Sequence, residues 1–407
     1  MTKKFYVGTG IENTWIAQAD RPGQRSLDVF EQMQHYDRWR EDLELAKELG
    51  INAIRYSVPW YRSNPAPGKY DWDWIAEPLE WLVDHGITPV VDLVHYGTPT
   101  WMDNAILNNR FPELLADYAH AFAQRFAGLV NHYTPMNEPQ GCAPPYWPPY
   151  LHGIDGWVTL SRPVAKAIVL TSRALRDACP GCCLISAESP LQLPDIEALT
   201  AAAGLPDTVT DTTFRWRLFP ASLAYGKILP DDPLVQALKR MGYADDDFQW
   251  FLEHAEPPDI LGFNYYPSNY FDLEIITPIE VRERLFQDLT EVHAEFGLPV
   301  YVTETSSGLT DEKKIQWVRA LGDLYKQARE QELPLCGINW WPLFETIQWD
   351  YRDNGKSVTE CIKPGPGGWN NGLYVINKEP AASLERIPTG AVAEFRTLCA
   401  DVLKDTE

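Results

Sequence analysis

Two glutamates stand out by their setting. Glu138 sits in the run Tyr133-Thr134-Pro135-Met136-Asn137-Glu138-Pro139, and Glu304 closes the run Pro299-Val300-Tyr301-Val302-Thr303-Glu304. Each follows a short apolar or β-branched stretch that reads as a buried strand running out. A single carboxyl at a strand end is ordinarily a solvated or capping residue. Two carboxyls brought face to face across a cleft are equipped for different work, because one can protonate a leaving oxygen while the other attacks the sugar carbon, which is how a glycosidic bond is broken. Asn137 offers an amide beside Glu138, Pro139 stops its strand abruptly, and Thr303 is a strand residue that aims Glu304 at the same opening.

The elements that must hold these groups recur along the whole chain. Strand-like cores fall at 5–9, 53–58, 88–94, 132–136, 184–187, 260–265, 300–303 and 335–340. Helical stretches lie between them: 38–49 ending at Gly50, 78–85 ending at Gly86, 112–126, 162–178, and 311–330 after the N-cap Thr310. Alternating strands and helices predict parallel strands, and eight such units predict a single (β/α)8 TIM barrel spanning residues 1–407. The two long connections, at about 189–258 and 350–369, read as irregular and are expected to shape the mouth. On such a barrel the C-terminal strand ends carry the chemistry, which is where Glu138 and Glu304 fall.

Composition excludes other classes. Hydrophobic residues make up 45% and charged residues 23%, the balance of an ordinary folded domain. The net charge of −22 argues against a nucleic acid or an anionic membrane surface as partner. The 16 Trp and 19 Tyr suit a site where sugar rings stack on aromatic faces. The segment Met1–Gly8 has two lysines and no apolar core of a leader peptide, and no apolar run is long enough to span a bilayer. Seven cysteines, an odd number with Cys182 and Cys183 adjacent, suit reduced thiols and a cytoplasmic location.

Several segments, in chain order, resemble glycoside hydrolase family one. Met136-Asn137-Glu138-Pro139 matches the core of its Thr-x-Asn-Glu-Pro motif, and Val302-Thr303-Glu304 its Ile/Val-Thr-Glu-Asn-Gly motif, with Thr305-Ser306 in place of Asn-Gly. The run from His35 to Asp42, Arg55-Tyr56-Ser57-Val58-Pro59-Trp60, His95-Tyr96, Gly262-Phe263-Asn264-Tyr265-Tyr266 and Trp341-Pro342-Leu343 with Trp349 supply the rest. The resemblance implies a β-glucosidase-like retaining exo-glycosidase acting on a small β-glycoside or oligosaccharide, with no metal and no organic cofactor. It implies that Glu304 is the nucleophile and Glu138 the acid/base. Arg55 and Tyr266 would hold Glu304 ionised, His95 and Asn137 would bind hydroxyls with Asn264 nearby, and Trp341 would be the stacking platform, with Trp60 a core residue.

The chain departs from that pattern where the family uses a glutamine after strand one and a glutamate after strand eight. Glu12 is the polar candidate in Gly8–Trp15, and Gln348 occupies the usual glutamate position, counting from Trp341 to Trp349, with Glu345 where an aspartate is common. The expectation is an exchanged carboxylate–amide pair, Glu12 with Gln348. Glu188, after strand five, is an extra carboxyl that could reach the mouth, and Trp147, Trp157, Trp216 and Trp369 are candidates for the aglycone side. The alternatives are a relative with an unusual glycone, a transglycosidase, or a sugar-binding protein without turnover.

Overall fold

The computed structural model describes residues 4–16, 25–103, 105–139, 154–191, 193–202, 204, 213–269, 276–308, 310–362, 370–377, 379 and 383–405. Eight strands form its centre: β1 (Tyr6–Ile11), β2 (Ala53–Ser57), β3 (Thr88–Asp92), β4 (His132–Thr134), β5 (Cys183–Leu184), β6 (Leu261–Asn264), β7 (Val300–Thr305) and β8 (Leu335–Trp340). They run parallel in the order β5-β4-β3-β2-β1-β8-β7-β6. The two ends meet through parallel bridges Ile185–Ile260 and Glu188–Phe263, with Glu188 N–H donating to the Gly262 carbonyl at 2.9 Å. The sheet is therefore a closed barrel, and all eight predicted strand cores lie on it. A Cβ on Gly262 would stand 1.7 Å from the Ser186 carbonyl oxygen, so this seam requires glycine.

Helices cover the outside: α1 (His35–Glu48), α2 (Asp73–Asp84), α3 (Phe111–Arg125), α4 (Ile154–Ala178), α5 (Asp245–His254), α6 (Pro278–Phe296), α7 (Asp311–Glu330) and α8 (Ala391–Lys404). Their ends follow local chemistry. Thr277 and Glu280 form a capping box before α6, which stops at Gly297 with φ of 72°, and the Thr310 hydroxyl accepts from Lys313 N–H at the start of α7. The helices α6 and α8 are not among the predicted stretches. α2 and α4 begin earlier than predicted because Pro78 and Pro163 are accommodated inside them.

The connection at 189–258 is not irregular. Its described residues hold helices Leu193–Ala202, Phe214–Arg217, Ala221–Ala224, Pro233–Arg240 and α5. They are short and punctuated by caps, as at Asp232, whose side chain accepts from Leu234 N–H ahead of Pro233 at the first helical position. That brevity hides the helical period in the sequence. The 350–369 connection carries Tyr351–Asn354 and Val358–Cys361. Part of it, including Trp369, lies outside the described residues, as do Trp147 and the side chain of Trp157.

Inside the barrel, Tyr6, Ala53, Val90, Ile185, Ile260, Tyr301 and Cys336 fill one apolar layer, with Tyr6 stacked on Tyr301 at 6.1 Å. This plug closes the bottom, so polar residues further along the strands meet only at the C-terminal end. The conspicuous His35…Asp42 run is a brace outside the barrel: His35 Nδ1 lies 2.7 Å from Asp42, His35 Nε2 pairs with the Tyr56 hydroxyl, and Arg386 donates to Asp42. Trp60 is buried and stacks on Tyr118, as expected of a core residue. The described cysteines are all free thiols. Cys179 and Cys182 are spaced as a Cys-x-x-Cys pair just after α4, and burial pushes the Cys182 thiol up to about 11, which keeps it unreactive.

Candidate active site

Arg55 is the hub. It lies on β2 with its side chain fully buried, pointing along the barrel axis above the apolar plug. Its Nη1 donates to Glu304 Oε1 at 2.5 Å, and its Nη2 lies 2.9 Å from Asp92 Oδ2, 3.0 Å from Glu12 Oε1 and 3.0 Å from Asn137 Oδ1. Burial works against its charge, but the three surrounding carboxyls more than offset that and hold the guanidinium firmly protonated.

Glu304 reaches this hub because β7 carries an extra residue. On one side Gly262 pairs with Tyr301 and Asn264 with Glu304; on the other Ile338 pairs with Val302 and Trp340 with Thr305. In both ladders three steps along β7 oppose two on the neighbour, which is a bulge, and bulges re-aim side chains. Tyr301 points inward and Thr305 outward, where its hydroxyl accepts from the Trp317 indole of α7. Strict alternation would have sent Glu304 outward with α7, and the bulge turns it into the mouth. There the Tyr266 hydroxyl donates to Glu304 Oε2 at 2.6 Å. Burial and the Glu304 charge raise the Tyr266 phenol far above its ordinary value, so it remains a donor.

Glu138 is held from the opposite wall. Its backbone has φ of 40°, the left-handed region that a non-glycine residue enters at a cost of about 1–3 kcal/mol. The turn is fixed by Glu138 N–H donating to the Ala187 carbonyl at 2.8 Å and Asn137 N–H to Val94 at 3.0 Å. The half-buried carboxyl accepts from the Tyr96 hydroxyl at 2.5 Å and from Asn264 Nδ2 at 2.9 Å. Tyr96 itself has φ of 72°. Burial first, and the Glu304 charge second, push Glu138 up to about 7. The two glutamates therefore differ in kind: one receives a guanidinium and a phenol, the other is kept where its proton is retained.

The remaining predicted residues fall as follows. His95 is buried with Nδ1 3.2 Å from the Thr14 hydroxyl, and burial with the Arg55 charge pushes it down to about 3, leaving a neutral ring. Trp341 is half-buried, 6.3 Å from the His95 ring and 6.1 Å edge-on to Tyr266, and Trp349 packs edge-on to Tyr96 at 5.4 Å. Asn264 links the two walls, since its Oδ1 accepts from the Thr303 hydroxyl at 2.8 Å while its amide donates to Glu138. Gln348 is half-buried, with its backbone N–H on the Cys361 carbonyl. The Glu12 side chain has no exposed surface and reaches Arg55 beside Gly10 and Trp341. Glu345 accepts from Ile376 N–H and is structural.

Glu188 is buried rather than solvated. It accepts from the Tyr225 hydroxyl at 2.7 Å, and burial pushes it up to about 8, with the Glu138 charge adding to the rise. Trp216 does not line the mouth: it is fully buried and its indole donates to Asp232. Three residues of this constellation were not singled out from sequence: Asp92, Tyr96 and Tyr225. The Asp92 signal was present, since a lone carboxyl interrupts the apolar run at 88–94. Among the described residues no group of three or more His, Cys, Asp or Glu side chains is arranged to hold a metal ion, and no helix is long and apolar enough to cross a membrane.

Comparison with known proteins bears on the fold and the class of the chain. The family model described as glycosyl hydrolase family 1 matches residues 14–154, the stretch from the first strand past Glu138. Beta-glucosidase A of Thermotoga maritima is 23% identical over 77% of this chain and 78% of its own, and Beta-glucosidase 1 of Oryza sativa is 31% identical over 31% of this chain and 26% of its own. A solved family 1 β-glucosidase of Thermotoga maritima, in complex with isofagomine lactam, superposes with a TM-score of 0.74 at 17% identity, covering 100% of this chain and 99% of that one. A local family match through the strand-four glutamate, relatives aligned over three-quarters of the sequence and a shared barrel over its full length converge: the chain is a glycoside hydrolase that resembles glycosyl hydrolase family 1 in sequence and shares its barrel fold.

Proposed function

We propose that the chain is a retaining exo-β-glycosidase that cleaves β-glucoside-type or β-galactoside-type bonds by double displacement. Glu304 attacks the anomeric carbon and forms a glycosyl-enzyme ester, while Glu138 gives its proton to the leaving oxygen. Glu138 then takes a proton from water, which attacks the ester and releases the sugar with its configuration retained. The observation that supports this reading best is the opposed environment of the two carboxyls: Arg55 and Tyr266 donate to Glu304, whereas burial holds Glu138 at about 7. Once Glu304 is esterified its charge is gone, the force raising Glu138 weakens, and Glu138 becomes the base the second step needs.

Neutral His95 and Asn137 bind hydroxyls of the sugar in this reading, with Trp341 as its platform and Trp349 and Gln348 on the outer rim. No metal and no organic cofactor takes part, and the substrate is a small β-glycoside or oligosaccharide met in the cytoplasm. The relatives, named as β-glucosidases, point to β-glucosides. The inward turn of Glu12 favours a second reading, a glycone whose outer hydroxyls are read by a different set of side chains, handled by hydrolysis or by transglycosylation.

A panel of aryl β-glycosides tests both. The parent is expected to cleave at least one member with an alkaline limb near pH 7, because activity requires Glu138 protonated and is lost as pH rises through its value. Glu138→Ala should slow substrates with poor leaving groups by about 10²–10⁴-fold and spare the first step for dinitrophenyl glycosides, which leave without a proton. A Glu138→Ala chain that handles all leaving groups like the parent sinks the assignment, and a parent that binds glycosides without cleaving any makes it a sugar-binding protein.

A further inference from the structure

Three carboxyls share one cation beneath the sugar site. Glu12 from β1, Asp92 from β3 and Glu304 from β7 all contact the Arg55 guanidinium, and none has more than marginal exposure. No second Lys or Arg is ion-paired with any of them among the described residues. Three buried anions on one buried cation would leave two charges uncompensated, and a buried unpaired charge is relieved by taking up a proton.

Donor geometry decides which group stays ionised. Glu304 accepts the 2.5 Å bond from Nη1 and the 2.6 Å bond from Tyr266, one on each oxygen. Asp92 accepts from Nη2 at 2.9 Å and, more weakly, from Val94 N–H at 3.3 Å. Glu12 touches Nη2 at 3.0 Å and lies beside the Trp341 indole, which favours its charged form weakly, but neither of its oxygens receives an aligned hydrogen bond. We propose that Glu12 and Asp92 are positioning residues that hold protons in the resting enzyme, so that the Arg55 charge is committed to Glu304. The assignment of Glu304 as the attacking group rests on the function proposed above; the proton distribution does not.

The other groups around the cluster agree. His95 beyond β3 is neutral, Tyr266 and Tyr301 are un-ionised phenols, and Glu138 on the far wall is an acid, so none supplies a second positive charge. Burial, against the pull of Arg55 and with the Glu304 charge adding, pushes Asp92 up to about 7 and Glu12 well above its ordinary value. When Glu304 is esterified, Arg55 loses its anion, and Asp92 can release its proton to solvent and take that place, which keeps the guanidinium paired through the covalent intermediate.

Asp92→Asn and Glu12→Gln test this, because each amide imitates a protonated carboxyl. Both variants are expected to leave the acid limb of kcat/KM where it is. Carboxyl ¹³C NMR of the unliganded, aspartate-labelled chain should show one resonance titrating near pH 7 that disappears in Asp92→Asn. An acid limb that drops by about one pH unit or more in either variant would mean that an anion had stood there opposing Glu304, and would overturn the proposal. So would an Asp92 resonance titrating in the ordinary carboxylate range. The NMR titration needs no turnover, so a parent that cleaves no glycoside would remove the proposed function while the proton assignment is still decided by that resonance.

Discussion

Glu304→Ala is expected to lower kcat on the best aryl β-glycoside by on the order of 10⁵-fold, since in the proposed mechanism it removes the attacking atom of the first half-reaction and the leaving group of the second. The loss should be chemical rather than structural. Asp92 and Glu12 remain beside Arg55 in the variant, and Asp92 can ionise to pair with it, so the barrel keeps its buried cation compensated. Thermal unfolding close to that of the parent is therefore part of the prediction. Azide or formate should restore turnover, because a small anion fits the space the side chain leaves. It attacks from the Glu304 face, so the azide product should be the α-anomer, and rescue of Glu138→Ala should give the β-anomer. Equal anomers from the two variants, or full activity in Glu304→Ala, would remove Glu304 from the nucleophile's place.

Arg55→Leu should strike stability and activity together. Removing one partner of a buried ionic network typically costs about 3–5 kcal/mol, because the other charges are left unpaired. Here three carboxyls and the Asn137 amide lose their common donor at once. With Glu12 and Asp92 already holding protons, protonation of Glu304 is the escape open to the folded chain, and it neutralises the attacking group. Activity should thus fall by more than about 10³-fold even in the fraction that folds, the loss being the electrostatic support of the attacking group. Denaturant melts and kcat on the same preparation check this. A stable Arg55→Leu chain with near-parental kcat would mean that the guanidinium is a bystander.

The sequence showed the barrel because its strands are buried on both faces and read as apolar runs alternating with helical stretches. Arg38–Leu49 and Asp311–Glu330 were visible for the complementary reason, since each has a helical stripe and a signalled end. The helices between β5 and β6 were not, because four to ten residues carry too few turns for a period to register. Glu138 and Glu304 were singled out by strand-end position and motif and Arg55 by motif, and the structure gathers all three at one end of the barrel. How Glu304 comes to face inward was not legible, because a bulge is a property of pairing between β7 and its neighbours, and single-chain alternation predicts the opposite side. That Glu12 would reach Arg55 was not legible for a related reason. Its direction follows from Gly10, where a Cβ would strike Trp341 and Glu12 itself, so the side chain lies in a space only a glycine leaves open. Tyr96 was read only as the neighbour of His95, although its positive φ is what carries its hydroxyl to Glu138.

The gathering of acids in the mouth also bears on when this molecule is hardest to unfold. Asp92 and Glu138 at about 7 and Glu188 at about 8 keep protons that the same side chains would shed in an unfolded chain near pH 4–4.5. Folding thus takes up protons across that interval, and each unit of displacement is worth about 1.4 kcal/mol. The sign follows directly: their contribution is whole below the unfolded values, drains away as pH climbs from about 4.5 to 8, and changes no further above that. These three acids therefore favour the folded state under mild acidity despite the net charge of −22, and unfolding midpoints at pH 5 are expected above those at pH 8.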